Sequence, residues 1–150
     1  MYNHAPADYA CPFCQLLCGK EDTVYSRQSD IVYQNEAVTA LISSHFWTNN
    51  HGNVIIIPNR HYENIYDLPD ELGGQVFATA RRVAIAMKKA YACKGTSTRQ
   101  HNEPAGNQDV FHFHFHVFPR YSGDQLYTSQ RFLAQPAERA QYAKKLREAL

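Results

Sequence analysis

Three histidines alternate with phenylalanines in the stretch VFHFHFHVFPR, which spans residues 110–120. Because residues two apart on a β-strand share a face, His112, His114 and His116 are predicted to line one side of a strand. A row of imidazoles can ligate a catalytic metal, or one ring can act as a nucleophile while its neighbours handle protons and phosphate charge. The residues alone leave both interpretations open. The apolar residues of the stretch are predicted to pack into the core from the other side: Phe111, Phe113, Phe115 and Val117.

A second group of reactive residues opens the chain, where Cys11 and Cys14 form a Cys-x-x-Cys motif. In a redox enzyme such a motif follows a strand, but no strand is predicted before Cys11, so its position favours a metal site. The alternative is a pair of buried free thiols. Cys18 lies one helical turn after Cys14 and is predicted to face the core.

Composition and charge exclude several classes of function. The chain of 150 residues has a net charge of +1 with its histidines neutral, and it has no basic stripe suited to a nucleic-acid backbone. No apolar run approaches the roughly 20 residues of a membrane span, and the N-terminus lacks the pattern of a secretory signal. We therefore expect a single domain over residues 1–150, located in the cytoplasm with reduced thiols, that binds neither nucleic acid nor membrane. Residues 1–10 are expected to form a loose tail.

The remaining patterns predict the elements that position these residues. Asn35-Glu36 separates two short β-rich segments and predicts a hairpin, while the apolar run NVIIIP predicts a strand buried on both faces. Asp67 can cap a long helix, and Gly95 lies just beyond the lysine-rich end of that helix. This order of elements indicates an α+β fold with a mostly antiparallel sheet. The predicted strands are residues 31–34, 38–43, 53–58, 96–100 and 110–118, and the predicted helices are residues 69–92 and 136–150.

Four motifs taken together resemble one family. The segment HFHFHVF is similar to the signature of the histidine triad (HIT) nucleotide hydrolases and transferases, and HNEPAGNQDVF resembles their phosphate loop. NVIIIPNRH resembles a family strand ending in Pro-x-x-His, and CPFCQLL resembles the opening of the zinc-containing members. The resemblance covers about residues 11–121. It implies a HIT-like fold with an antiparallel sheet of about five strands, a long central helix, and a C-terminal helix in an extension at residues 122–150.

The resemblance also implies a covalent mechanism. His114 would attack phosphorus to form a nucleotidyl-histidine that water later cleaves, and His116 would contact the phosphoryl oxygens or the leaving group. We expect a backbone carbonyl to hold the second ring nitrogen of His114. Asn102 and Gln108 would donate hydrogen bonds to phosphate and leaving-group oxygens, where negative charge develops. The implied substrates are nucleoside phosphoramidates or dinucleoside polyphosphates, with adenosine as the default nucleoside.

A structural zinc ion is implied as well. Its ligands by resemblance are Cys11, Cys14, His61 and His112, a closed tetrahedral set that would leave His114 and His116 for the phosphate. The competing ligands in the sequence are His45, His51 and Cys18. The family commonly forms two-fold dimers, so a homodimer is expected, with the helix at residues 69–92 and an edge strand at the interface.

The sequence departs from the family pattern at positions that are expected to touch substrate. Asp109 stands where the family often has Ser or Thr, and an acid there should repel an anionic substrate unless it points away or contacts a cationic leaving group. Ser43 stands where an Asp commonly binds the ribose hydroxyls. The loop at residues 44–52 is longer than in the family, and its aromatic residues are expected to pack in the core or at an interface, with stacking on a nucleotide base as the alternative.

Two alternatives to the nucleotidyl-histidine enzyme therefore stay open. In one, the three histidines of the alternating stretch ligate a single zinc ion with an open fourth position, as in a mononuclear zinc hydrolase. In the other, the chain is a nucleotide-binding module with little catalysis, for which Asp109 and Ser43 are the motivating residues.

Overall fold

The computed structural model describes residues 2–150. Within that range the main sheet has five antiparallel strands, and two further strands form a small second sheet. No helix in the described range combines the length and apolar character needed to cross a bilayer. The helices are α1 (Pro12–Leu17), α2 (Asp70–Ala90) and α3 (Pro136–Ala149), and the strands are β1 (Ile31–Gln34), β2 (Val38–Ile42), β3 (His45–Trp47), β4 (Val54–Pro58), β5 (Gly95–Gln100), β6 (Phe115–Arg120) and β7 (Arg131–Leu133).

The main sheet, in the spatial order β1-β2-β4-β6-β5, confirms the predicted α+β class. Helices α2 and α3 pack on one face of this sheet and α1 packs on the other. The central strand β4 is buried on both faces, as its apolar run predicts. Val54 and Ile56 belong to the core under α2, whereas Ile55 and Ile57 belong to a smaller core under α1. The sheet thus separates the long helices from the face that carries the histidines.

The predicted hairpin and long helix are present, with a different start and stop for the helix. The Asn35 side chain accepts the N–H groups of Ala37 and Val38 at 2.9 and 2.8 Å and closes the turn between β1 and β2. Asp67 does not cap α2, because it lies in a separate 3-10 turn before Pro69. The chain leaves α2 through Ala92, whose φ is 52°.

The histidine stretch is only partly a regular strand, which differs from the prediction for residues 110–118. Strand β6 begins at Phe115, and the N–H of Phe113 donates to the carbonyl of Tyr62 outside the sheet ladder. The alternation of faces survives, because Phe113 lies in the core under α2 while the histidines face the other way. Phe111 is an exception, since its ring packs edge-on against Tyr9 at 5.5 Å.

The N-terminal segment is held against the body of the protein, so the expectation of a loose tail is wrong for residues 2–10. The Glu63 carboxylate accepts the backbone N–H groups of His4 and Ala5. The His4 ring lies 2.9 Å from the Glu103 carboxylate, and the Tyr9 hydroxyl accepts the N–H of Phe111 at 3.0 Å. These contacts place the N-terminus beside the predicted phosphate loop.

The loop predicted at residues 44–52 contains strand β3, which pairs with β7 near the C-terminus. Phe46 is fully buried in the main core, where its ring packs edge-on against Phe132 of β7 and Tyr142 of α3, as expected for packing rather than base stacking. Trp47 pairs with Arg131 in this second sheet. The pairing brings the C-terminal extension to the histidine face of the main sheet.

A buried ion pair fixes α3 beneath the sheet. The Arg139 guanidinium donates to both oxygens of Asp30 at 3.1 Å, and both side chains are essentially inaccessible to solvent. Arg139 also donates to the carbonyls of Ala134 and Tyr25. These contacts tie α3 to the chain just after β7 and to the chain just before β1.

Replacing Arg139 by Met is expected to destabilise the fold strongly, because it leaves the Asp30 carboxylate buried without its partner. The free energy of unfolding should fall by about 3–5 kcal/mol, measured by urea denaturation. The control is Arg147→Met on the same helix, where an exposed side chain donates to the carbonyls of Ser29 and Ile31. Equal losses for the two variants would contradict the assigned importance of the buried pair.

Candidate active site and metal centre

Two cysteines and two histidines meet where α1 approaches the end of β4. Cys11 and Cys14 lie at the start of α1, and the Cys11 sulfur accepts the N–H of Cys14 at 3.4 Å as the helix cap. His61 follows β4 and His112 precedes β6. The four potential ligand atoms all lie within 4.8 Å of one another. The structure therefore brings together the full predicted ligand set.

The electrostatics of this cluster suit a bound cation. Burial and the neighbouring Cys11 sulfur raise the pKa of the Cys14 thiol to about 12, so a positive charge is needed to hold two thiolates there. Burial lowers the pKa of His112 to about 4, so its ring is neutral. His112 Nε2 lies 2.9 Å from the Pro58 carbonyl and so carries the proton that it donates there. The other ring nitrogen, Nδ1, therefore has a lone pair, and it faces the sulfurs.

The competing ligands lie elsewhere. His51 is hydrogen-bonded to Glu138 and to the Thr48 carbonyl, and His45 contacts the Ser44 hydroxyl. Cys18 is exposed, not in the core as its spacing predicted. Within residues 2–150 the single cluster of potential ligands excludes all three.

His114 is buried behind α1 with one ring nitrogen committed. Its Nδ1 lies 2.8 Å from the His112 carbonyl, the kind of partner that the sequence led us to expect. This contact places the proton on Nδ1, and Nε2 keeps its lone pair with no hydrogen-bond partner among the described residues. Phe13 of α1 packs edge-on against the rings of both His114 and His112 at 5.6 Å. Burial lowers the pKa of His114, so the ring is neutral and nucleophilic near pH 7.

His116 lies beside His114, with the two ring centres 5.0 Å apart. It stacks on Phe118 at 5.5 Å and meets Trp47 edge-on at 6.5 Å. Burial holds the pKa of His116 well below its usual range, and Nδ1 is buried without a hydrogen-bond partner among the described residues. The ring is therefore neutral and available to a ligand from the open side.

Two clefts meet at the histidines. One of about 420 Å³ runs under α1 and is lined by side chains that include Phe13, Tyr25 and His114. The other, of about 470 Å³, runs along β5 and the loop before β6. Both volumes fall in the range of small-molecule sites. Four residues line both clefts: Trp47, Asp109, His116 and Arg131.

The two predicted amide donors are occupied by the protein itself. Asn102 lines neither cleft, because its side chain bonds Gln100 and accepts the N–H of Ile65. Gln108 lines the second cleft, but its amide nitrogen donates to the carbonyls of Glu63 and Val110, which uses both of its hydrogens. Gln108 therefore shapes the loop and has no N–H group left for phosphate, whereas Asn102 keeps one N–H group but lies outside both clefts.

The two positions that depart from the family pattern do line the clefts. Ser43 is buried in the first cleft, and its hydroxyl accepts the N–H of His45 at 3.3 Å. Asp109 lies where the clefts join and pairs with Arg131 at 2.8 Å. Arg131 compensates the charge that was expected to repel an anionic substrate.

Four polar or charged residues of the second cleft were absent from the sequence-based site. His101 and Asn107 lie within the segment that resembles the phosphate loop, and their polar side chains in that motif were a usable signal. Arg99 and Arg131 also line the second cleft. Neither arginine belongs to a local motif. Arg99 reaches the second cleft from β5, and Arg131 reaches it only because β7 pairs with β3.

The fold, the paired histidines and the adjoining clefts are those expected of the histidine triad class of proteins, and comparisons with known proteins agree. The model of the HIT domain family matches residues 25–123. "Protein hit" of Bacillus subtilis is 33% identical over 111 residues, which cover 74% of this chain and 71% of that protein. The chain therefore belongs to the HIT family, whose members bind nucleotides and are generally nucleotide hydrolases or transferases.

Two solved structures are similar over nearly the whole chain. A HIT-like protein from Bartonella henselae, described as involved in cell-cycle regulation, has a TM-score of 0.79 at 28% identity and covers 97% of this chain and 100% of its own. A zinc-bound histidine triad family protein from Mycobacterium smegmatis has a TM-score of 0.77 at 26% identity, covering 93% and 92%. The HIT-like fold expected from the sequence is thus confirmed.

Proposed function

We propose that the protein is a nucleotide hydrolase or nucleotidyl transferase that works through a covalent nucleotidyl-histidine on His114. The observation that carries the proposal is the state of this ring: Nδ1 is held by the His112 carbonyl at 2.8 Å, and Nε2 is left free on a ring that lines a cleft. The substrates are adenosine nucleotides in which the phosphorus bears a nitrogen or phosphate leaving group. The cleft under α1 holds the nucleoside, and the second cleft holds the leaving group.

The chemical steps follow from the two histidines. His114 Nε2 attacks phosphorus, the bond from phosphorus to the leaving group breaks, and the leaving group departs with that electron pair; an amine leaving group also takes up a proton from solvent. The phosphorylated ring becomes positively charged, so its Nδ1–H bond to the His112 carbonyl strengthens. His116 borders both clefts and donates a hydrogen bond to the phosphoryl oxygens or the leaving group. Water then attacks phosphorus, the nitrogen–phosphorus bond breaks, and a nucleoside monophosphate and a proton are released.

The nucleophile is testable by trapping the intermediate. Incubation with an adenylate donor carrying a good leaving group, followed by rapid quenching, should give an adenylyl adduct at His114 by mass spectrometry. His114→Ala should lose the adduct and lower kcat by about 10⁴-fold or more. The control His51→Gln changes a histidine outside both clefts and should keep the adduct.

The same experiment separates the two alternatives. Turnover without an adduct, abolished by chelation, would favour a mononuclear zinc hydrolase. The geometry disfavours it, because His112 faces the cysteine cluster while Nδ1 of His114 is bound to a carbonyl. Tight binding of adenosine monophosphate with no turnover of any donor would instead favour a nucleotide-binding module.

We further propose that Cys11, Cys14, His61 and His112 bind one structural zinc ion. In a tetrahedral site, zinc–ligand bonds of about 2.0–2.3 Å place sulfur and nitrogen roughly 3.5 Å apart. The sulfur–nitrogen distances in the cluster are 3.3, 3.4 and 3.6 Å. The zinc-bound protein from Mycobacterium smegmatis supports the same metal. Four protein ligands close the coordination sphere, so the ion would fix α1 against the histidine segment rather than touch substrate.

This role requires reduced thiols. Because the cytoplasm keeps thiols reduced, we propose that the protein is located there.

Elemental analysis should find about one zinc per chain. Cys11→Ser should lose the metal and lower the melting temperature by about 10 °C, because loss of a ligand from a structural site removes several kcal/mol. The matched control is Cys18→Ser, which changes an exposed thiol outside the cluster and should keep both metal and stability. A fully folded, metal-free preparation of the unaltered protein would contradict the zinc proposal and would leave the assignment of His114 as the nucleophile unaffected.

We also propose a homodimer formed through α2 and β5. Strand β5 is an edge of the main sheet, so its outer backbone groups are open to a second strand. Phe77 of α2 is 67% exposed and packs near Phe115 at 6.3 Å, beside an apolar depression of about 340 Å³. An exposed aromatic next to an open strand edge fits a second copy of the chain.

Replacing Phe77 by Asp should shift the protein from dimer to monomer, because it puts a charge on the proposed apolar interface. Sedimentation over a concentration series measures the effect, and the dissociation constant should rise by about 100-fold, as expected for a residue near the centre of an interface. Leu133→Asp on β7 is the control, since it adds the same charge to an exposed apolar residue of the other sheet. A wild-type protein that is monomeric at all concentrations would overturn the dimer.

A further inference from the structure

A single ion pair sits where the two clefts join. Arg131 Nη1 donates to Asp109 Oδ2 at 2.8 Å, and the two side chains are 51% and 49% exposed. Both residues line both clefts. Arg131 reaches this place because β7 pairs with β3, with Arg131 opposite Trp47. Residue 131 also lies beyond residues 25–123, the part of the chain that the HIT domain model matches.

Most of the Arg131 guanidinium is uncommitted. It has five N–H donors, and one of them is used by Asp109 in a single hydrogen bond. Burial alone raises the pKa of Asp109, but the hydrogen bond and charge of Arg131 outweigh that effect and lower it, so the carboxylate stays ionised and holds the arginine in place. A half-exposed arginine anchored at one nitrogen presents its remaining donors to whatever occupies the junction.

The second cleft has a positive balance of charge. Its charged lining residues are Arg99, Arg131 and Asp109, so its net charge is +1 with the histidines neutral. Arg99 is fixed over the ring of Phe118 at 4.8 Å and over that of Trp47 at 5.6 Å. With the charge of Asp109 already compensated, no free carboxylate among the described lining residues is left for a cationic group.

We propose that Arg131 is a substrate-binding residue that makes the enzyme favour donors whose leaving group is negatively charged, such as a nucleoside diphosphate or another oligophosphate, over phosphoramidates of cationic amines. This inference rests on the proposed nucleotidyl transfer to His114. The guanidinium contacts the leaving-group phosphates in the second cleft, and Asp109 acts as the anchor that positions it. The rival assignment makes Asp109 itself the site for a cationic amine.

Three donors with the same adenylyl group test the selectivity. Their leaving groups are ADP, a neutral aromatic amine, and an amine that carries an additional ammonium group. The native enzyme should give its highest kcat/KM with the ADP donor, measured as release of adenosine monophosphate, and its lowest with the ammonium-bearing amine. A preference for the ammonium-bearing amine would overturn the proposal in favour of the rival.

Substitution of Arg131 tests its role directly. In Arg131→Gln, the ratio of kcat/KM for the ADP donor to that for the neutral amine donor should fall about tenfold, as expected for one charge-assisted hydrogen bond at a half-exposed site. The change should appear mainly in KM, and Arg131→Lys should recover part of it. The control Lys144→Gln removes an exposed cation on α3 and should leave the ratio unchanged. An unchanged ratio in Arg131→Gln would refute the assignment.

A double variant separates contact from shielding. If Arg131 only neutralises Asp109, the variant Asp109→Asn/Arg131→Gln should regain the native ratio. If Arg131 contacts the leaving group, the ratio should stay low in the double variant, which is the expected result. Trapping on His114 provides the independent check: an adduct that forms without leaving-group selectivity refutes this inference alone, whereas no adduct with any donor refutes the proposed function itself.

Discussion

The hydrogen bond between His114 Nδ1 and the His112 carbonyl is the contact on which the site depends. It joins two groups of residues that the sequence presents separately, because the ring of His112 faces the cysteine cluster while its carbonyl holds His114. The His112 ring is itself fixed by the Pro58 carbonyl at 2.9 Å. A cation held by the cluster would therefore set the orientation of the imidazole at position 114 without approaching the substrate. This arrangement explains how one residue can serve a structural centre through its side chain and a reactive centre through its backbone.

The same contact depends on where the sheet stops. If residues 110–118 formed a continuous strand, the carbonyl of His112 could be hydrogen-bonded to a neighbouring strand instead of to His114. Regular pairing of β6 begins at Phe115 instead, and the preceding residues bond to Tyr62 and to their own side chains. The period of two still sends Phe113 and Phe115 to the core, and it sends the histidines to the opposite face, where His114 and His116 line the clefts and His112 joins the cysteine cluster. Period-two spacing could therefore predict which face of the strand each side chain occupies. It could not predict where the backbone pairing of β6 begins, because tertiary contacts decide that and so leave the His112 carbonyl free for His114.

Sequence reasoning succeeded for features that a local pattern of residues determines, and it failed for features that depend on a partner far away in the sequence. The order of the main strands and helices and the buried strand β4 follow from spacing and residue type, whereas the membership of the cysteine–histidine cluster was expected from the resemblance to the HIT family. Asn102 and Gln108 were assigned to phosphate by resemblance to the family, but Gln108 gives both of its N–H groups to backbone carbonyls, and Asn102 bonds Gln100 outside both clefts. The pairing of β3 with β7 joins segments more than 80 residues apart, and three-residue strands carry too little pattern to be recognised alone.

Asp109 shows how that long-range pairing changes the meaning of a single residue. In the sequence it is an acid at a phosphate loop, which argues against an anionic ligand or for a cationic one. In the structure its partner comes from β7, and the pair contributes no net charge while leaving most guanidinium donors free. Because Arg99 also lines the second cleft, that cleft is then positive rather than negative. A loss of catalysis therefore does not follow from the acid at position 109, because the C-terminal extension supplies the compensating charge at the place where a leaving group would bind.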